Sequence, residues 1–181
     1  MPAESVLLAE DETIIRLFPV LRRAWSRQGE QARVLITGNN AKRVLFATVN
    51  LRTGHRLVWR AKNMRQAGFH ELLHLVRRRY GNRPVSMLLD EASCHRAQKS
   101  VTLAAALDIY LLWVPKQCSE LNPVDQLWKE LKRSISANHQ YTSIEEHAEA
   151  AEAWVRGLTN RETLRKAGVL SKNFWLRAFV K

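Results

Sequence analysis

The sequence predicts an α/β fold, a mixed sheet with helices on its faces, from three observations. Short apolar runs end on acidic residues at two separate places. Val, Ile, Thr, Phe and Trp crowd the stretch from Arg33 to Ala61, with Gly as punctuation. From Asn63 onward, segments with helical spacing alternate with short apolar strands. A chain of 181 residues with 46% hydrophobic and 25% charged residues, only 7 Gly and 5 Pro, can bury a proper core, which excludes disordered and collagen-like classes.

Ser5 to Ala9 (SVLLA) reads as a buried strand ending in Glu10-Asp11-Glu12. Ile14 to Gly29 mixes apolar and basic residues around Pro19 and reads as irregular. VLITG, KRVLFATVN, a turn at Arg52-Thr53-Gly54 and HRLVWRA then form an antiparallel meander. Asn63 stands as cap of a helix to about Tyr80, with Phe69, Leu72, Leu73 and Val76 on one face and Arg77, Arg78 and Arg79 at its dipole-favoured end. Val85 to Leu89 is a second apolar strand ending on acids, Asp90-Glu91, followed by a helix from about Arg96 to Leu107 and a strand from Ile109 to Val114.

After the polar loop Lys116 to Leu121, Asn122 and Pro123 open a helix to about Ile135, since Asn caps well and Pro is favoured at the first helical position. Asp125 falls in its first turn. Thr142 or Ser143 caps the next helix, to about Leu158, and Asn160 a shorter one to about Ala167. Residues 1–181 thus form one domain, with a core over about 4–136 and C-terminal helices over about 142–181.

Lys and Arg number 29 against 17 Asp and Glu, a net charge of +12, which favours a polyanionic partner, nucleic acid first and an anionic membrane second. Two cysteines, Cys94 and Cys118, are too few for a disulfide framework or a thiolate zinc site, and point to free thiols in a reducing compartment. The longest apolar stretch, Leu103 to Val114, is broken by Asp108 and falls short of the ~20 residues that cross a bilayer. The N-terminus lacks the features of a signal peptide, so the expected location is cytoplasmic.

Two strands ending in Asp and a helix opening with one place Asp11, Asp90 and Asp125 where they converge at one edge of the sheet. Three neighbouring carboxylates raise one another's pKa and are best tolerated around divalent cations, for which hard oxygen ligands suit Mg²⁺ or Mn²⁺. Acids at strand ends also serve as solvated turn residues or helix caps, so the spacing alone is only suggestive.

Three blocks add to it: LLAEDET (Leu7 to Thr13), VSMLLDEASCHRA (Val85 to Ala97) and VPKQCSELNPVDQLWKELK (Val114 to Lys132). With GNNAKRVLFATVNLRTG (Gly38 to Gly54) and the 34 residues between Asp90 and Asp125, the chain resembles the catalytic domain of IS630 family transposases, in the Tc1/mariner superfamily. The resemblance implies an RNase H-like fold and a metal-dependent DNA strand-transfer enzyme. Asp11, Asp90 and Asp125 match its three acids and hold Mg²⁺ or Mn²⁺, two ions in all. Asp125 stands where IS630 members more often have Glu. The implied partners are double-stranded DNA, as terminal inverted repeats and target, and a second copy in a homodimer, in a bacterial, nucleoid-associated setting. The chain is expected to be the catalytic half alone, without the family's N-terminal helix-turn-helix region. A catalytically silent DNA-binding remnant and a general RNase H-like nuclease are the competing readings.

Other residues carry two readings each. Glu10, Glu12 and Glu91 neighbour the acids, but strand alternation points them away from that face. His95 either touches substrate phosphate near Asp90 or makes local hydrogen bonds at a helix start. His70 and His74 lack the companions of a zinc site. Trp128, with Leu127 and Leu131, belongs to an apolar stripe. Arg22 and Arg23, Arg77 to Arg79, and Lys129, Lys132 and Arg133 either line a DNA channel or form solvated faces. Trp25 either stacks on a base or anchors in the core.

Overall fold

The computed structural model describes residues 5–115 and 118–180. Five strands form one sheet: β1 (Val6–Arg16), β2 (Lys42–Asn50), β3 (Arg56–Ala61), β4 (Val85–Leu89) and β5 (Ile109–Trp113), in the order β3-β2-β1-β4-β5. β1, β2 and β3 pair antiparallel, while β1, β4 and β5 run parallel. The helices are α1 (Gln66–Tyr80), α2 (Ser93–Arg96), α3 (Gln98–Ala106), α4 (Pro123–Leu131), α5 (Ile144–Gly157), α6 (Asn160–Lys166) and α7 (Arg177–Val180). This is the expected mixed sheet flanked by helices.

Alternation along β1 divides the core. Leu7, Ala9 and Ile15 pack with Leu45, Ala47 and Val49 of β2 against Val124, Leu127, Trp128 and Leu131 of α4 and Ala151 and Val155 of α5. Val6 and Leu8 face the other way, with Phe46 of β2 and Met87 of β4, onto Phe69, Leu72, Leu73 and Val76 of α1. Gly68 lets α1 approach β2, because a Cβ there would lie 2.6 Å from Phe46 Cε2. Buried His147 of α5 joins Ser136 Oγ at 2.8 Å and the Arg16 carbonyl at 3.0 Å, which ties that helix to the end of β1.

Several boundaries differ from expectation. β1 runs through the acidic triplet to Arg16, because β2 continues to pair with it as far as Lys42. VLITG forms no strand; Leu35 and Ile36 are exposed, within an excursion between β1 and β2 that is pinned by a bridge between Val20 and Ala137. α1 starts after Arg65, with no side-chain cap, so Asn63 does not cap it. The helix expected to begin at Arg96 is two, broken at Ala97, whose backbone is extended. α4 gives way after Leu131 to a π-helical turn over Lys132–Ser136. Ser143 caps α5, but Thr159 rather than Asn160 caps α6, with Glu162 completing a reciprocal capping box. The polar loop after Pro115 includes residues 116 and 117, outside the described residues; Ser119–Leu121 form one 3-10 turn. Among the described residues no helix is long and apolar enough to cross a membrane.

Candidate active site

The parallel pairing of β1 with β4 ends at Ala9 and Leu88, while β1 continues along β2, so a cleft opens at the carboxyl ends of the parallel strands. Asp11 shares the face of Leu7 and Ala9 that looks towards α4. Asp90 follows the last residue of β4. Asp125 enters through Asn122, a buried residue with two tasks. Its Oδ1 accepts from the Val124 N–H at 3.1 Å and caps α4, while its Nδ2 donates to the Glu10 carbonyl of β1 at 2.7 Å. The cap is therefore also the strut that sets the first turn of α4 beside β1. Asp11, Asp90 and Asp125 line one cleft of about 150 Å³, with Val114, Pro115, Cys118 and Asn122.

The electrostatics separate the three acids. Burial, then the charges of Glu12, Asp90 and Asp125, push the Asp11 carboxyl up to about 8. Asp90, half exposed, is held below its ordinary value by hydrogen bonds from His95 and the Ala92 N–H, each at 2.9 Å. Lys129 Nζ stands 2.6 Å from Asp125 Oδ2, one turn along α4. Lys132 is lowered by burial, against the opposing pull of Asp125 and Asp11. Lys129 and Lys132 thus border the acids. Arg133 projects outward 4.0 Å from Glu130, and Arg22 and Arg23 lie exposed in the excursion, where the Arg22 backbone pairs with the Asn138 side chain.

His95 is a correction. Its side chain is 0% exposed and meets no solvent, so it does not contact a DNA phosphate. It lies beneath Asp90, with Nε2 3.2 Å from Glu10 Oε2 and 3.5 Å from Glu12 Oε2, and its ring packs on Phe69. Burial alone would lower it, but Glu10, Asp90, Cys94 and Glu12 together raise it to about 12. Glu10 and Glu12 point away from the Asp11 face, as alternation requires, and burial raises both carboxyls. What strand alternation did not signal is their common partner, reached across the sheet from a helix 83 residues further on in the case of Glu12. His70 bonds Ser100 Oγ at 3.0 Å, an ordinary helix–helix contact. Trp128 is in the core, and Trp25 is fully exposed, which removes the buried-anchor reading for it.

Residues 6–147 match the model of a family described as DDE superfamily endonuclease. The insertion element IS630 uncharacterized 39 kDa protein of Shigella sonnei is 26% identical over 144 residues, covering 78% of this chain and 42% of that protein. The mariner Mos1 paired end complex with Mg superposes with a TM-score of 0.71 at 16% identity, over 94% of this chain and 54% of that one. The Mos1 paired-end complex with left transposon end gives 0.69 at 17% identity, over 93% and 53%. The structural likenesses establish an RNase H-like fold shared with the Mos1 transposase. The chain spans about half the length of the proteins it matches, or less.

Proposed function

The chain belongs to the DDE superfamily endonuclease family, and from that premise we propose that it is the catalytic domain of a DNA transposase whose acidic triad is Asp11, Asp90 and Asp125. The observation that carries this reading is the meeting of three carboxylates from β1, the end of β4 and the start of α4 in one cleft, with Asp11 raised to about 8 in part by the other two. Hard oxygen donors in a confined space fit Mg²⁺ or Mn²⁺, and the Lys129 ammonium beside Asp125 is consistent with a site that favours positive charge. Mos1, a structural relative, binds Mg in its paired end complex, which supports the same metal here.

A pair of divalent ions, when bound, supplies the charge that activates an attacking oxygen and stabilises a leaving one. The chain's own residues do the rest. Asp11, Asp90 and Asp125 would hold the ions. Lys132, and Lys129 once released from Asp125, face the phosphate of a DNA strand laid in the cleft, and Arg133 on the exposed side adds to the hold on its backbone. Water attacks the phosphorus at the element end, an O–P bond forms in line with the one that breaks, and a 3′-hydroxyl leaves. In the second step that hydroxyl attacks a phosphorus of target DNA, the target's own 3′ oxygen leaves, and its proton balance is closed by solvent. The substrate in both steps is duplex DNA.

The test is cleavage of labelled duplex DNA by the native chain and by Asp90→Ala, with Mg²⁺, with Mn²⁺ and with chelator. Metal-dependent nicking by the native chain, lost in a variant that still binds DNA, supports the reading. Binding without nicking in both would favour a silent DNA-binding remnant. Nicking with water but never with a 3′-hydroxyl would favour a general nuclease.

A further inference from the structure

Asp90 is the most exposed of the three acids, with about half of its side chain open to solvent, yet it is held tightly on one side. Its Oδ1 accepts from the Ala92 N–H at 2.9 Å and from His95 Nδ1 at 2.9 Å. His95 Nδ1 also lies 3.2 Å from the Asp90 carbonyl. Behind the ring, Nε2 meets Glu10 at 3.2 Å and Glu12 at 3.5 Å. Glu10 is wholly buried, neither of its carboxyl oxygens has an aligned hydrogen bond, and the His95 ring is the polar group that stands against it.

This arrangement is costly as packing. Ionisable groups buried together lose their hydration, and apolar residues of similar volume commonly fill such a space as well or better. An imidazole locked from behind, however, can do what an apolar side chain cannot, which is to fix the rotation of a half-exposed carboxylate. We infer that Glu10 and His95 are positioning residues, a buried carboxyl–imidazole pair that orients Asp90 for metal binding while touching neither metal nor DNA. The inference rests on Asp90 being a metal ligand. Outer partners of this sort typically change metal affinity about 10–100-fold.

The test is Mn²⁺ affinity, read from the electron paramagnetic resonance of free Mn²⁺, together with the melting temperature of the same samples. Glu10→Leu/His95→Leu removes both members of the pair together and fills the buried volume with apolar side chains. That variant is expected to melt at or above the native temperature and to bind Mn²⁺ about 10–100-fold more weakly. Glu10→Leu/His95→Asn, whose amide returns a donor near the position of Nδ1, is expected to recover most of the affinity. Should the first variant not fold, His95→Gln decides instead: it reaches towards Glu10 but offers Asp90 nothing, and the same weakening is expected. Native affinity in a folded variant without the donor overturns the inference. Asp90→Ala is the control. Mn²⁺ binding that it leaves unchanged sinks the metal-ligand reading and this inference with it, whereas Asp90-dependent binding that survives loss of the pair sinks this inference alone.

Discussion

Replacing Asp11 with Asn should stabilise the metal-free protein, and by an amount that depends on pH. Burial and the neighbouring acids raise the Asp11 carboxyl from 3.8 to about 8, whereas in the unfolded chain it ionises near ~3.9. As pH rises through that interval the unfolded chain releases the proton first, and the native state binds more protons. Stability is therefore lost progressively between about pH 4 and 8, and the loss levels off once both states are ionised. Four units at 1.36 kcal/mol each set a ceiling of roughly 5 kcal/mol, and water entering the open cleft brings the working figure to about 2–3 kcal/mol. For a chain of this size that is about 5–10 °C. Calorimetric melts in chelator should show Asp11→Asn equal to the native chain near pH 4 and higher by that margin at pH 8. Saturating Mg²⁺ should narrow the gap by stabilising the native chain alone. A gap of equal size at both pH values, or none at pH 8, would refute the electrostatic account of the cleft.

Asn122→Ala removes the α4 cap and orphans the Glu10 carbonyl, a loss of about 2–3 kcal/mol that should lower the melting temperature by roughly 5–10 °C; a change within 2 °C, on the order of 0.5 kcal/mol, would show that the strut is not needed. Lys129→Ala releases Asp125 from an exposed pair contributing about 0.2–1 kcal/mol, so calorimetric Mn²⁺ affinity should rise by up to about fivefold. In the same variant the slope of log DNA affinity against log salt should shrink by about 0.9 if Lys129 meets a phosphate, and stay constant if it does not. In Gly68→Ala the new methyl would lie 2.6 Å from Phe46 Cε2 and 3.0 Å from Ala61 Cβ. Crowding of ~1–3 kcal/mol should outweigh a helix-propensity gain of about 1 kcal/mol, and a higher melting temperature would contradict that.

How much of this was legible in the sequence depended on how local each cause was. The strands at Val85 and Ile109 and the opening of α4 at Asn122-Pro123 are written in runs and caps a few residues long, and they appear where expected. The acidic triplet looked like the end of a strand because a central strand seldom carries three acids. It is not the end, because β2 pairs along it, Asp11 faces the cleft, and Glu10 and Glu12 find His95. VLITG has a strand's composition, but no neighbouring strand takes it up. Of the two readings of His95, local hydrogen bonds beside Asp90 hold and contact with a substrate phosphate does not. Its burial follows from Phe69 and the two glutamates, contacts that no short pattern records. Convergence of the three aspartates was an inference from strand ends, and the register of β1 against β4, with the Asn122 strut, is the physical reason for it.

The most direct measurement is diffraction from crystals of this chain grown or soaked with Mn²⁺, recorded at the manganese absorption edge. The account predicts anomalous peaks in the cleft in contact with the carboxylates of Asp11, Asp90 and Asp125, and the loss of the Lys129 contact to Asp125. Manganese bound elsewhere, with the three aspartates free and Lys129 still in place, would contradict it.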